Sequence, residues 1–106
     1  MADVYTTIYV PSEEEVNIHL YPIDGYTMDE YDFKCEIFCS SMRKQILSKS
    51  DMRRVDENNY VAIVDTAKIG GGKVKIRVLA RVPNDNFDDG YRDVVTYLNP
   101  WVEVKD

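Results

Sequence analysis

Gly70, Gly71 and Gly72 run directly into Lys73. A glycine-rich turn ending in lysine is the chemistry of a phosphate cradle, where backbone N–H groups and an ammonium face an anion. Such a cradle also needs a glycine five positions before Gly72, a hydroxyl residue after the lysine, and a helix to follow. Ala67 and Val74 stand at the two diagnostic positions, and the residues beyond them alternate as a strand does. The glycines therefore read as a loop that supplies positive φ before a strand.

Other candidate chemistry thins out in the same way. In DNFDDG, residues 85–90, aspartates and a glycine suggest a calcium loop. Setting Gly90 at the obligatory sixth position puts Asp85 first and Asp89 fifth, but Phe87 third and Thr96 twelfth, so the bidentate glutamate is missing. The segment reads as a solvated turn, with Phe87 folding back as an apolar plug. Cys35 and Cys39 lie four residues apart. On one strand that is about 13 Å, too far for a disulfide, so both read as reduced core thiols. A zinc site through them would need further ligands, and His19 is the only histidine. His19 falls on the polar face of its segment and reads as a surface residue. Glu13, Glu14 and Glu15 read as solvated charge. No nucleophile with a paired base appears, so the reading is of no catalytic residue, no cofactor and no metal.

The elements that carry these residues alternate with period two. Val16, Ile18 and Leu20 oppose Asn17, His19 and Tyr21; Phe33, Cys35, Ile37 and Cys39 oppose Lys34, Glu36 and Phe38. Residues 4–10 set Val4, Thr6, Ile8 and Val10 against Tyr5, Thr7 and Tyr9. Residues 60–65, YVAIVD, are apolar on both faces and suit a central strand. The clearest case is residues 73–82, where Val74, Ile76, Val78, Ala80 and Val82 form one face and Lys73, Lys75, Arg77, Leu79 and Arg81 the other. In the last run Val94, Leu98, Val102 and Val104 share a parity, and Pro100 inside it marks an edge or a bulge. Residues 41–55 are ambiguous between a helical turn and strands; strands at 43–47 and 51–55 are the preferred reading. Turn residues separate the runs: Pro22 and Gly25, then 55–59, then Pro83 to Gly90. About seven strands without a strong amphipathic helix predict an all-β antiparallel sandwich, with an open oligonucleotide-binding barrel as the alternative.

A chain of 106 residues is a single domain, 1–106. Its net charge of −6 argues against bulk affinity for nucleic acid. No apolar run is long enough to span a bilayer, and MADVYTTIYV lacks the basic and apolar regions of a signal peptide. Two surface features remain. Lys73, Lys75, Arg77 and Arg81 form a basic stripe, which suits single-stranded nucleic acid if aromatics accompany it, or cross-strand pairing with acidic neighbours such as Glu36; the pairing is preferred. Tyr5, Tyr9, Tyr21 and Tyr97 fall on the less apolar parities and, with Trp101, offer a subunit interface or a platform for sugars.

EVNIHLYPIDG, YDFKCEIF and NNYVAIVDTAKIGGGKVKIRVLARVPNDNFDDGYRDVV together resemble an immunoglobulin-like domain of prophage tail and baseplate structural proteins of gut bacteria. The resemblance runs from about residue 15 to 104 and rests on Asp24, Gly25, Asp32, Phe33, Ile37, Gly70, Gly72, Pro83, Asp85, Phe87, Asp89 and Gly90. It implies an immunoglobulin-like sandwich acting as a non-enzymatic structural or adaptor module. The partners it implies are a second copy or neighbouring phage structural proteins. The implied location is the virion, or the cytoplasm before assembly.

Overall fold

A computed structural model describes residues 4–40 and 42–106. The reading of the extreme N-terminus bears partly on residues 1–3, which lie outside the described residues, as does Ser41. The chain is all-β, an antiparallel-rich sandwich. Its elements are β1 (Thr6–Tyr9), β2 (Glu13–His19), β3 (Asp32–Ser40), β4 (Arg43–Ser48), a 3-10 turn (Lys49–Asp51), β5 (Arg53–Asp56), β6 (Asn59–Asp65), α1 (Thr66–Ile69), β7 (Gly72–Lys73), β8 (Lys75–Pro83), β9 (Tyr91–Leu98) and β10 (Val102–Lys105).

Hydrogen bonding sorts the strands into ladders β4-β3-β8-β9, β1-β10-β7 and β2-β6-β5. The first two make one layer. Val74, between β7 and β8, donates its N–H to Val102 O at 2.8 Å, which carries the ladder across the break. Ile76 pairs with Leu98 and Gly72 with Val104. Between the Val74–Val102 bond and the Ile76–Leu98 pair, Lys75 alone opposes Asn99, Pro100 and Trp101. The expected Pro100 irregularity is thus a bulge that splits one long strand into β9 and β10. Two extra residues preserve parity, so the side-chain faces continue through it. This break and the matching one at Val74 divide eight runs into ten strands, where about seven were expected. Among the described residues the one parallel pair is β1 with β10.

Between the layers lies one apolar core. Val16 and Ile18 from β2, Ala62 and Val64 from β6, Cys35 and Ile37 from β3, and Ile76, Val78 and Val82 from β8 are all buried. Phe33 and Tyr60 meet across the layers edge to face, with ring centroids 5.1 Å apart. Every apolar residue assigned to the inner face of residues 73–82 is buried. Val4, by contrast, is exposed, and its strand starts only at Thr6.

Local chemistry sets the connections. Asp24 (φ 53°) and Gly25 (φ 84°) form a two-residue turn between Ile23 and Tyr26. Positive φ at both central positions is the type I′ pattern that an Asp-Gly pair favours. The ambiguous segment resolves into β4 and β5, with the 3-10 turn between them; Asp51 accepts the Ser48 N–H at 3.0 Å. The strand expected at 51–55 begins later, at Arg53. One element was not anticipated. Asp65 accepts the Ala67 N–H at 3.1 Å and starts the single turn α1, which Gly70 ends. Buried Thr66 then ties α1 to Ser12, whose N–H it accepts at 2.9 Å.

Gly72 holds φ at 130°, and a Cβ built there would lie 3.2 Å from the Cys39 Cβ. Both conditions oppose a side chain. Gly72→Ala is expected to destabilise the fold by about 1–3 kcal/mol, measured by urea denaturation.

Asp29, in the β2–β3 connection, gathers the ends of two strands. Its carboxylate accepts from Arg54 Nε at 2.9 Å and from the Tyr60 hydroxyl at 2.6 Å. The Arg54 guanidinium foremost, then the Tyr60 hydroxyl, holds the Asp29 pKa down to about 2, from an ordinary 3.8. A depressed carboxylate pKa contributes stability above its unfolded value and loses it as pH falls through the folded one. Thermal stability is therefore expected to drop between about pH 4 and 2. Asp29→Asn is expected to flatten that slope without abolishing it, because Glu36, Asp51 and Asp56 are also depressed.

Candidate functional site

The outer face of the larger layer collects the surface residues singled out from the sequence. Registers place Ile46, Glu36, Arg77 and Tyr97 in one row across β4, β3, β8 and β9. Ser48, Lys34, Leu79 and Val95 make the next row, and Lys44, Phe38 and Lys75 another. Lys73, Glu103 and Thr7 extend the face along β7, β10 and β1. Tyr5 and Tyr9 lie on the same side as Thr7, and Trp101 on the same side as Glu103. All the candidate aromatic and basic residues except Tyr21 thus lie on this face. Tyr21 stands beyond the end of β2, fully at the surface, edge to face with His19 at 4.9 Å.

Of the basic stripe, Arg77 makes the expected cross-strand pair, and Lys73 lies instead over the Tyr5 ring. Glu36 is buried and accepts from the Arg77 guanidinium, with Lys44 Nζ at 3.7 Å. Arg77 foremost lowers the Glu36 pKa, and Glu36 foremost raises that of Arg77. Arg81 bonds Asp89 at 2.8 Å and stacks over Tyr91 at 4.7 Å. Lys34 and Lys75 have no carboxylate within ion-pair distance among the described residues. Apolar surface lies between these charges: Ile46 and Val95 are exposed, and Tyr97 is 69% exposed. A shallow depression of about 450 Å³ crosses the face, lined among others by Lys34, Ser48, Leu79, Arg81, Asp93 and Val95.

At one end of the face Tyr5 and Trp101 meet edge to face at 5.2 Å, and Lys73 Nζ sits 4.7 Å from the Tyr5 ring centre. Trp101 holds φ at 58° and remains 44% exposed. Its N–H is donated to Asn99 Oδ1 at 2.8 Å, and its carbonyl accepts from Thr6 N at 2.8 Å. The bulge therefore fixes the indole as well as splitting the strand.

The remaining candidates sit elsewhere with ordinary roles. Gly70 and Gly72 hold positive φ, as a loop before a strand requires. Of the aspartates in residues 85–90, Asp89 serves the β8–β9 turn, receiving Tyr91 N and Arg81, and Gly90 O accepts from Asn84 N at 2.7 Å. Phe87 is 48% exposed and does not fold back as a plug, because the turn closes through backbone bonds that leave its tip outside. Cys35 and Cys39 are free thiols. Burial pushes the Cys35 pKa up to about 12 and also raises that of Cys39. His19 Nδ1 lies 3.0 Å from Asn59 Oδ1 at the surface. Among the described residues no three His, Cys, Asp or Glu side chains converge as a metal site would require, and no helix is long and apolar enough to cross a membrane.

Two polar residues of structural weight were not singled out from the sequence. Gln45 of β4 is buried; its Nε2 donates to Ile63 O at 3.0 Å and its Oε1 accepts from Asp65 N at 2.9 Å. Strand β5 pairs with β6 only as far as Val61, so the Gln45 amide satisfies the ladder beyond it. Thr66 does the same service for Ser12. Neither has a local signal, since each depends on a partner distant in sequence.

Fold and face together define the class: a two-layer all-β domain with a mixed basic and apolar outer face. Comparison with known proteins finds no matching family model, no matching curated protein and no matching solved structure.

Proposed function

We propose that this chain is a non-enzymatic, immunoglobulin-like structural or adaptor domain of a phage-derived tail or baseplate assembly, working by protein–protein contact through the outer face of its larger layer. The carrying observation is the coincidence on one face of exposed Ile46, Val95 and Tyr97 with Lys34 and Lys75, which have no acidic partner among the described residues. Aromatic and aliphatic anchors within a polar surround are how protein interfaces gain affinity. The phage assignment rests on the resemblance over residues 15–104. The chain would act as a virion component, made in the cytoplasm before assembly.

Co-expression with the structural proteins encoded beside it tests the reading. A complex that survives gel filtration, and that Val95→Glu/Tyr97→Glu weakens at least about tenfold, is expected for centrally placed anchors. No complex, or one indifferent to those substitutions, would remove the proposal.

A second reading, a carbohydrate-binding module, rests on the exposed Tyr5–Trp101 pair with Lys73 beside it. Glycan-array binding abolished by Trp101→Ala would favour it over the first. Single-stranded nucleic acid has less support, since Arg77 and Arg81 already have carboxylate partners.

A further inference from the structure

The two outer faces of the sandwich differ in charge. On the smaller layer, Glu13 of β2 lies opposite Asp65 of β6, and Glu15 lies opposite Ile63. Asp56 of β5 is exposed on the same layer, opposite Asn59. The only cation on this face among the described strand residues is Arg53, 3.6 Å from Glu15. Ile63, beside these carboxylates, is 41% exposed. On the larger layer Lys34 and Lys75 have no carboxylate within ion-pair distance among the described residues, Lys44 is 3.7 Å from Glu36, and Ile46, Val95 and Tyr97 are exposed apolar groups. In a chain of net charge −6, the larger layer thus presents Lys34, Lys44 and Lys75 on its outer face, beside Asp93 at the rim, while the opposite face is acidic.

We infer that these faces bind each other between copies: the β2-β6-β5 face of one copy docks on the β4-β3-β8-β9 face of the next. This rests on the proposed role as a contact module and names its partner as a second copy of this chain. Charge decides the geometry. A two-fold dimer would set lysines against lysines or carboxylates against carboxylates, and like charges across an interface are unfavourable. Only a head-to-tail contact brings Glu13 and Glu15 to Lys34 and Lys75 and sets Ile63 toward Val95 and Tyr97. Because the two faces lie on opposite sides of the sandwich, a bound pair still leaves one face of each kind free. The contact does not close on itself as a dimer, and the product is an open stack or a ring.

Sedimentation velocity on the wild type and two charge-reversed variants tests this. The wild type is expected to grow in mass with concentration, weakening about tenfold or more as salt rises toward 0.5 M, where screening shortens to a few ångströms. Lys34→Glu/Lys75→Glu alone and Glu13→Lys/Glu15→Lys alone are each expected to stay monomeric. Their equimolar mixture is expected to associate again, because reversed faces then meet reversed or native opposites. Should a reversal fail to fold by circular dichroism, the glutamine pairs at the same positions carry the single-variant arms with smaller losses, and their mixture is expected to stop at a pair joined by the two unaltered faces. A Glu13→Lys/Glu15→Lys variant that associates like the wild type overturns the inference, as does a mixture that stays monomeric. A monomeric wild type overturns it too, including one that instead binds oligothymidylate through the lysines. If the wild type is monomeric but still forms the Tyr97-dependent complex with a neighbouring protein, the inference falls and the proposed function stands. If copies associate by these faces but no neighbour binds, the reverse holds.

Discussion

Gln45→Ala is expected to lower the stability of the sandwich by roughly 1–4 kcal/mol, because it leaves two part-buried backbone groups without partners, each costing at most about 1–3 kcal/mol. The groups are Ile63 C=O and Asp65 N–H, which the Gln45 amide bonds at 3.0 and 2.9 Å. A urea midpoint about 1–2 M below that of the wild type is the expected reading. Gln45→Glu sharpens the test. The introduced carboxyl can serve both groups only when protonated, since Ile63 C=O needs a donor. Its pKa should therefore rise on folding. A raised carboxyl pKa means that the deficit is full at neutral pH and shrinks as pH falls through the folded value. A Gln45→Ala protein as stable as the wild type would mean that the β4–β6 bridge carries no weight.

Ile37→Ala is the second large effect, expected at about 2–5 kcal/mol from lost transfer energy and the cavity left behind. Ile37 is fully buried and lies across from Ile76 in the centre of the layer. The expected drop in Tm is roughly 10–20 °C for a domain of this size. Ile46→Ala provides the contrast. Ile46 points outward from the neighbouring strand, opposite Glu36, and its loss should stay within about 0.5 kcal/mol. Equal losses at the two positions would contradict the assignment of faces.

These contrasts show which parts of the fold were legible in the residues. Alternation at residues 73–82 placed Val74, Ile76, Val78, Ala80 and Val82 in the core, since period two leaves a strand only one way to face. The same parity put Lys75, Arg77 and Tyr97 outside, and cross-strand register then made Glu36 the partner of Arg77. Asp65 and Gly70 bracket a capped turn that was legible but passed over, because four residues give no helical period. Gln45 and Thr66 were not legible at all. Their worth comes from backbone groups 18 and 54 residues away, which only the packed layers bring within reach. Phe87 misled for a related reason: an aromatic in a turn suggests burial, but this turn closes through its own backbone. For the candidate face, composition marked the residues, and only the bulge at Asn99–Trp101 joined the Trp101 end to the Tyr97 row.

Light scattering of the wild-type chain across a concentration series at low salt tests most directly the claim that the two outer faces are complementary contact surfaces. A mass that climbs above the 12.3 kDa monomer with concentration, and falls back as salt is added, is the predicted result. A mass of 12.3 kDa at every concentration and salt would contradict it.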